Sequence, residues 1–212
     1  MAHKFFEEKR PHGGLLYKDY MKLTEKQISQ TDEASLTNEE KEIFDYTKLN
    51  LQRSRRIEKH YNVSGELKKE IRKNYEPQLW MVITENWCGD SAQNLPYLAK
   101  MSEENSNINF RIVLRDQNPD IMDLYLTNGT KSIPVMVAFN MDGDEIFKWG
   151  PRPVEAQNLI NQLKSEGIVK PELYEKLHLW YGRNRGKEIE GEMLKLMKEQ
   201  ISDSHLISMQ KI

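Results

Sequence analysis

The alternation of apolar and polar residues divides the middle of the chain into short elements. The nearly continuous apolar segment QLWMVITENW, which begins at Gln78, predicts a strand buried on both faces. SAQNLPYLAKMSEE has helical spacing that turns Leu95, Leu98 and Met101 inward, and INFRIVLRD alternates as a strand does. PVMVAFN and EIFKWG predict two more strands, and the MDGD turn between them makes them an antiparallel hairpin.

Two further helices are predicted between and after these strands. Asn118 as N-cap, Pro119 at the first helical position and Gly129 as terminator delimit NPDIMDLYLTNG. A proline and a glycine likewise delimit RPVEAQNLINQLKSEG. The resulting order is β-α-β-α-β-β-α. Because the first three strands alternate with helices, we expect them to be parallel and the last pair to be antiparallel.

The chain before this unit is predicted to begin loosely and to continue as helix. The first ~35 residues are polar, with PHGG and SQTDEAS, and indicate a loosely ordered arm and linker. Thr37 and Glu40 have the spacing of a capping box, which predicts a long helix to about Tyr61. SGELKKEIRKNYE predicts a short helix that Pro77 ends. The inward side of the long helix is expected to carry Ile43, Phe44, Thr47, Leu51, Ser54 and Ile57.

The chain after this unit, from Pro171, predicts one or two terminal helices with a break near residues 182–186. We expect their apolar stripes to cover the core, and a dimer interface is the alternative. The two stripes are Leu173, Leu177, Trp180 and Tyr181, and then Ile189, Met193 and Leu196.

Composition narrows the class of protein. Charged residues make up 30% of the 212 residues and the formal net charge is −2, so we expect no nucleic-acid or membrane partner. No apolar segment approaches the ~20 residues that span a bilayer, and MAHKFFEEKRPHGG lacks the apolar segment of a secretory signal. We therefore expect a cytoplasmic protein. The scattered histidines have no metal-ligand spacing, so we expect no metal site; they are His3, His12, His60, His178 and His205.

The one cysteine of the chain, Cys88, lies in ENWCGDSAQNLPYLAK. A single cysteine excludes an intrachain disulfide and a CxxC zinc site, so any disulfide it forms involves another molecule. A lone cysteine in a cytoplasmic protein is usually an inert apolar side chain. Its position between the strand and the helix argues against that interpretation.

Three segments in order resemble the thioredoxin family. NWCGDS stands in the place of the family's W-C-G-P-C, and SIPVMVAF resembles the family's Ile-Pro-Thr segment, in which a cis-proline faces the active-site cysteine. Gly150 follows the last strand, where the family has a glycine beside the same site. The resemblance implies an α/β thioredoxin-like fold, a central mixed sheet flanked by helices, over residues 75–167. Residues 1–74 and 168–212 would be N- and C-terminal helical extensions.

The resemblance also implies which residues form the site. Cys88 would be the nucleophile and Ser91, which replaces the family's second cysteine, would support its thiolate. Asp90 replaces the usual proline, and Val82 stands where the family often has a buried aspartate that handles the proton of the second cysteine. The substrate groove would comprise Trp87, Gly89, Asp90, Ile133, Pro134, Gly150 and Arg152.

We expect a moderately lowered pKa for the Cys88 thiol. The N-terminus of a helix favours the thiolate, as does a hydroxyl donor at Ser91. The charge of Asp90 opposes this effect, and Arg152 is expected on the same rim to offset it.

The leading hypothesis for function is a thiol–disulfide oxidoreductase with a monothiol mechanism. An external thiol such as glutathione would resolve its mixed disulfide with a protein or small-molecule client, and no bound cofactor is expected. A redox-inactive module that binds peptides or proteins is the alternative, and a glutathione-transferase-like enzyme is a third. The oligomeric state, monomer or homodimer, stays open.

Two basic clusters are interpreted as solvated surface, with an anionic partner as the alternative. They are RSRR, which contains Arg53, Arg55 and Arg56, and GRNRGK, which contains Arg183, Arg185 and Lys187.

Overall fold

The computed structural model describes residues 2–209, with side chains described for residues 2–200. The helices of this part are α1 (Lys4–Glu7), α2 (Tyr17–Gln30), α3 (Asn38–His60), α4 (Gly65–Arg72), α5 (Gly89–Ser102), α6 (Pro119–Met122), α7 (Val154–Ser165), α8 (Lys170–Asn184) and α9 (Lys187–Met209). The strands are β1 (Gln78–Thr84), β2 (Ile108–Leu114), β3 (Val135–Phe139) and β4 (Glu145–Trp149). Within residues 2–209, no helix is long and apolar enough to cross a membrane.

The four strands form one mixed sheet in the order β2-β1-β3-β4, which confirms the predicted fold class. Strand β1 is parallel to β2 and every residue of β1 is buried. The prediction that β3 continues a parallel sheet is wrong, because β3 runs antiparallel to β1 and to β4. Helix α6 has only 4 residues and rises about 6 Å. That is too short to carry the chain back along β2. Strand β3 therefore starts at the end of the sheet where β2 finishes, and it runs in the opposite direction.

The predicted helix from Asn118 to Gly129 is therefore wrong in extent. The Asn118 side chain does not cap the helix, because its amide donates to the Leu114 carbonyl oxygen at 2.8 Å. Tyr125 then turns inward, 3% exposed, and its hydroxyl donates to Glu145 Oε1 at 2.7 Å. Gly129 has a φ of 75° in a turn beyond the helix. Burial of Tyr125 is the tertiary contact that outweighs the helical pattern.

The prediction of a loosely ordered N-terminal arm is also wrong. Phe5 and Phe6 are 4% and 7% exposed and their rings pack on Phe139, with centroids 6.2 and 5.2 Å away. Leu15 and Ile112 exchange backbone hydrogen bonds of 2.9 and 2.8 Å, which adds a bridge to the edge strand. The arm is ordered because these few apolar residues are buried against the sheet, which a mean polarity does not reveal.

The long helix α3 begins and ends where the sequence predicts. Both halves of the capping box at Thr37 and Glu40 are present. The predicted inward side is buried or half-buried with one exception, Ile43, which is 52% exposed. Its neighbour Phe44, 6% exposed, takes the inward position at this turn of the helix.

The predicted break between the terminal helices is confirmed. Arg185 ends α8 in the left-handed conformation, and Gly186 follows with a φ of 83°. A Cβ on Gly186 would lie 2.3 Å from a ring carbon of Tyr97, so only glycine allows this approach. Helix α9 covers the main core and α8 packs on α7. The predicted stripe residues are buried, except that Trp180 and Leu196 are half-buried.

Candidate functional site

Cys88 lies between β1 and α5 as the N-cap residue of the helix. Its N–H donates to the Glu85 carbonyl oxygen at 3.2 Å and closes the turn that leaves the strand. Its thiol donates to the Ile133 carbonyl oxygen at 3.3 Å. The residue is 9% exposed, so a reactant has limited access to the sulfur. The side chain is thus held by the segment before β3 and not by a second cysteine.

The segment before β3 and the end of β4 meet beside Cys88. The Ile133–Pro134 peptide bond is cis, as the resemblance implies. Gly150 has a φ of 119°, and a Cβ there would lie 2.3 Å from the Pro134 carbonyl oxygen. This close approach requires glycine at position 150. Whether these three residues bind substrate stays a prediction.

The predicted lowering of the Cys88 pKa is wrong. Burial raises the pKa of the thiol, and the carboxylate of Asp90 raises it further. The hydroxyl and N–H of Ser91 and the N–H of Asp90 lower it, but by less. The N–H groups at the start of the helix stabilise the thiolate by less than burial destabilises it, and that burial is set by the fold. The Cys88 thiol is therefore protonated at neutral pH.

We expect the alkylation of Cys88 by iodoacetamide to be slow at neutral pH and to accelerate with a midpoint above the ordinary pKa of a cysteine. The raised thiol pKa leaves less thiolate at pH 7 than an unfolded chain has. The measurement is the rate as a function of pH, with the urea-unfolded protein as reference. Asp90→Asn should shift the midpoint downward, since it removes the negative charge beside the sulfur. A folded-state midpoint at or below that of the unfolded chain would contradict the prediction.

Asp90 connects three elements of the site. Its Oδ2 lies 2.6 Å from Arg152 Nη2, and its Oδ1 accepts a hydrogen bond of 2.8 Å from the Tyr181 hydroxyl. Burial raises the pKa of Asp90, whereas Arg152 and Tyr181 lower it. The structure thus brings Arg152 and Asp90 together at the rim, as the sequence predicts. It also connects this pair to α8 through Tyr181, a contact that the sequence does not predict.

A cavity of about 330 Å³ opens beside Cys88. Trp87, Gly89, Asp90, Ile133 and Arg152 of the predicted groove line it. Helix α3 adds Tyr46 to the lining, and α8 adds Tyr174, Leu177 and His178. Pro134 and Gly150, which are also predicted for the groove, do not line this cavity. Helices α3 and α8, which come before and after the sheet in the sequence, therefore form one wall of the cavity.

His178 is a site residue that sequence analysis missed. A Cβ on Gly89 would lie 3.0 Å from His178 Cε1, so the ring packs directly on the residue after Cys88. Its Nδ1 accepts from the Gln93 side-chain amide at 3.3 Å, which leaves the proton on Nε2. Burial and the charge of Arg53 lower the pKa of His178 to about 4, so the ring is neutral at physiological pH. Only the fold brings this helix to Cys88, and no local motif marks it.

The other predicted site residues have mixed surroundings. Ser91 is 1% exposed, and its hydroxyl makes no hydrogen bond of normal geometry to any described residue, although it lies near enough to lower the Cys88 pKa. Trp87 is half-buried; it lines the cavity and also packs against the core. The Arg115 guanidinium lies 4.7 Å from the centroid of its ring.

Histidine does not build a metal centre in the described part of the chain. Among these residues, no three His, Cys, Asp or Glu side chains are grouped to hold a metal ion. The side chain of His205 lies outside the described residues.

Fold and site together define the class of protein. A family model described as Thioredoxin matches residues 36–164, which is more than half of the chain, and the chain belongs to this thioredoxin family. The matched segment includes α3 and α4 as well as the sheet.

Solved structures show the same fold. A protein of unknown function from Pseudomonas aeruginosa is 13% identical with a TM-score of 0.53, over 88% of this chain and 93% of that one. An HIV epitope scaffold is 15% identical with a TM-score of 0.52, over the same shares of the two chains, 88% and 93%. These alignments extend beyond residues 75–167 into the flanking helices. A comparison with curated proteins gives no match.

Proposed function

We propose that the protein is a thiol–disulfide oxidoreductase that works through one thiol, that of Cys88. The observation that carries this proposal is the position of the only cysteine in the sequence. It is the N-cap of α5, it contacts the Ile133 carbonyl oxygen beside the cis-proline, and it opens into a cavity. A cysteine that served only as core packing would need neither the cavity nor the N-cap.

The reaction begins when the Cys88 thiol loses its proton and attacks one sulfur of a client disulfide R–S–S–R′. A bond forms between Cys88 and the R sulfur, the disulfide bond breaks, and R′–S⁻ leaves and takes up a proton. A second thiol, R″–SH, then attacks the R sulfur as thiolate. R–S–S–R″ forms, Cys88 leaves as thiolate and is reprotonated, and the external thiols supply the electrons that reduce the client.

Loss of the proton is the step that the resting site disfavours. The thiol donates to the Ile133 carbonyl oxygen, and a hydrogen bond made by the protonated form stabilises that form. A backbone N–H of an extended client that donates to the same oxygen would compete with the thiol for it. Client binding would then favour the thiolate, which the nearby N–H groups of Asp90 and Ser91 stabilise.

The test is turnover of a glutathionylated peptide in the presence of reduced glutathione. We expect wild type to remove the glutathione, and mass spectrometry to find a glutathione adduct on Cys88 at intermediate times. Cys88→Ser should show neither, because it has no thiol to form the bond. Ser91→Ala should retain the adduct and turn over several-fold more slowly, since it loses one donor that lowers the thiol pKa. Equal turnover by wild type and Cys88→Ser would refute the proposal.

A module that binds extended peptides without redox chemistry is the second candidate. The observation that favours it is the buried, protonated state of Cys88, which is 9% exposed and has a raised pKa. This candidate expects Cys88→Ser to bind the same peptides as wild type with equal affinity, and reductant to make no difference. A covalent adduct on Cys88 that reduced glutathione releases would decide against it.

A further inference from the structure

We propose that a second cavity, further along α5 from Cys88, binds a small phosphate-bearing molecule. This cavity has a volume of about 730 Å³ and lies between α3, α5 and the junction of α8 with α9. The volume falls in the range of about 300–1,000 Å³ of small-molecule sites. Cys88 does not line it, so the proposal is independent of the proposed thiol chemistry.

The two basic clusters of the sequence converge on this cavity. Arg56, from RSRR on α3, and Arg185, from GRNRGK at the end of α8, both line it. The guanidinium of Arg56 approaches the second cluster closely, since a Cβ on Gly182 would lie 4.0 Å from its Nη2. Within the described residues, neither arginine forms an ion pair or a side-chain hydrogen bond. Two exposed cations that pair with no described residue thus line one cavity.

One carboxylate, that of Glu190, also lines the cavity, but it forms no ion pair with either arginine. Glu190 accepts hydrogen bonds from the Tyr61 hydroxyl at 3.1 Å and from the Ser64 N–H at 2.8 Å. Each of its two oxygens therefore already accepts one hydrogen bond from the protein. His60 also lines the cavity.

A tyrosine hydroxyl without a partner in the described part of the chain supplies the second, independent observation. Tyr97 lines the cavity and is only 6% exposed, because its ring packs on Tyr61 and Gly186. Its hydroxyl has no hydrogen-bond partner among the described residues. Burial raises the pKa of Tyr97 to about 12, so this hydroxyl is a donor at neutral pH. The hydroxyl oxygen is not one of the fully buried atoms without a partner, so it is accessible and can donate to a ligand in the cavity.

The donor set fits a phosphate group better than a single carboxylate. Each guanidinium presents a planar pair of N–H donors that matches two oxygens of one phosphate, and the tyrosine hydroxyl supplies a further donor. The volume exceeds what a phosphate group alone fills. Gln93 and Asn62 line the remainder and suit a polar substituent on the phosphate.

The experiment is calorimetric titration of the full-length protein with inorganic pyrophosphate at constant ionic strength, and with citrate in a parallel series. We expect one pyrophosphate per chain, bound more tightly than citrate. Arg56→Gln and Arg185→Gln should each weaken binding about tenfold, as expected for a lost hydrogen bond between charged groups. Tyr97→Phe keeps the ring and should weaken binding several-fold. Cys88→Ser should bind as wild type does.

Arg55→Gln is the matched control, because Arg55 is adjacent in sequence but pairs with Glu25 at 2.7 Å and does not line the cavity. We expect it to bind pyrophosphate as wild type does. The proposal is overturned by an absence of binding to wild type, by citrate binding as tightly as pyrophosphate, or by an equal effect of Arg55→Gln. It is also overturned if Tyr97→Phe, with an unchanged circular dichroism spectrum, binds as tightly as wild type.

Discussion

Arg152→Met should lower the free energy of unfolding by about 3–5 kcal/mol, the cost of breaking a buried ion pair from one side. The guanidinium lies 2.6 Å from Asp90, and the two side chains are 20% and 8% exposed. Removing it leaves a buried carboxylate with the Tyr181 hydroxyl as its remaining side-chain donor. Denaturant unfolding followed by circular dichroism measures the loss.

The loss in Arg152→Met should depend on pH. Burial already raises the pKa of Asp90, and Arg152 is the largest influence that lowers it, so the variant raises it further. The destabilisation is then complete above the folded-state pKa of Asp90 and disappears as the pH falls below about 4, the ordinary pKa of the group. A loss that is constant between pH 7 and pH 4 would contradict this explanation.

Lys131→Met is the matched control for that substitution. Lys131 pairs with Asp123 at 2.7 Å, but both side chains are at least half exposed. Such a surface pair contributes under about 1 kcal/mol. The same loss from both variants would mean that burial is not what makes the Asp90–Arg152 pair important.

Gly150→Ala should lower the free energy of unfolding by about 3 kcal/mol or more. The φ of 119° is strained for alanine, and the added Cβ would lie 2.3 Å from the Pro134 carbonyl oxygen. Relief of the clash must move the segment that holds the Ile133 carbonyl oxygen, so the alkylation rate of Cys88 should change as well. Denaturant unfolding measures the first effect and the rate of reaction with iodoacetamide measures the second, both at 25 °C.

Gly129→Ala separates strain from collision. Gly129 also has a positive φ, 75°, but a Cβ there meets no atom within 4 Å. We expect a loss of about 1 kcal/mol from the backbone conformation alone and no change in Cys88 alkylation. If Gly150→Ala costs no more than Gly129→Ala, the close approach of the two segments does not constrain position 150.

Sequence patterns predicted the helices and strands that are specified by residues close together in the sequence. The capping box at Thr37 fixes the start of α3, and continuous apolar residues fix the central strand β1. The position of Cys88 at the start of α5 likewise follows from the change of periodicity from strand to helix. Periodicity did not predict the direction of β3, because that direction depends on the end of the sheet from which the chain enters β3 after leaving β2.

Features of the site that depend on distant segments were not predictable from the sequence. The raised pKa of Cys88 comes from burial, to which the whole fold contributes. His178 and Tyr181 join the site because α8 packs across the start of α5, far from it in the sequence. The pairing of Arg152 with Asp90 could be predicted, because the resemblance to thioredoxins placed both residues on one rim.

The single cysteine also determines what kind of equilibrium this protein obeys. A protein with two neighbouring thiols stores its oxidised state within one molecule, where the high local concentration of the partner thiol is fixed by the fold. Here every disulfide that Cys88 forms contains a second molecule, so the oxidised state is a complex of two components. Its population follows the ratio of the disulfide to the thiol form of that second component, and dilution at a fixed ratio leaves this population unchanged while lengthening its lifetime.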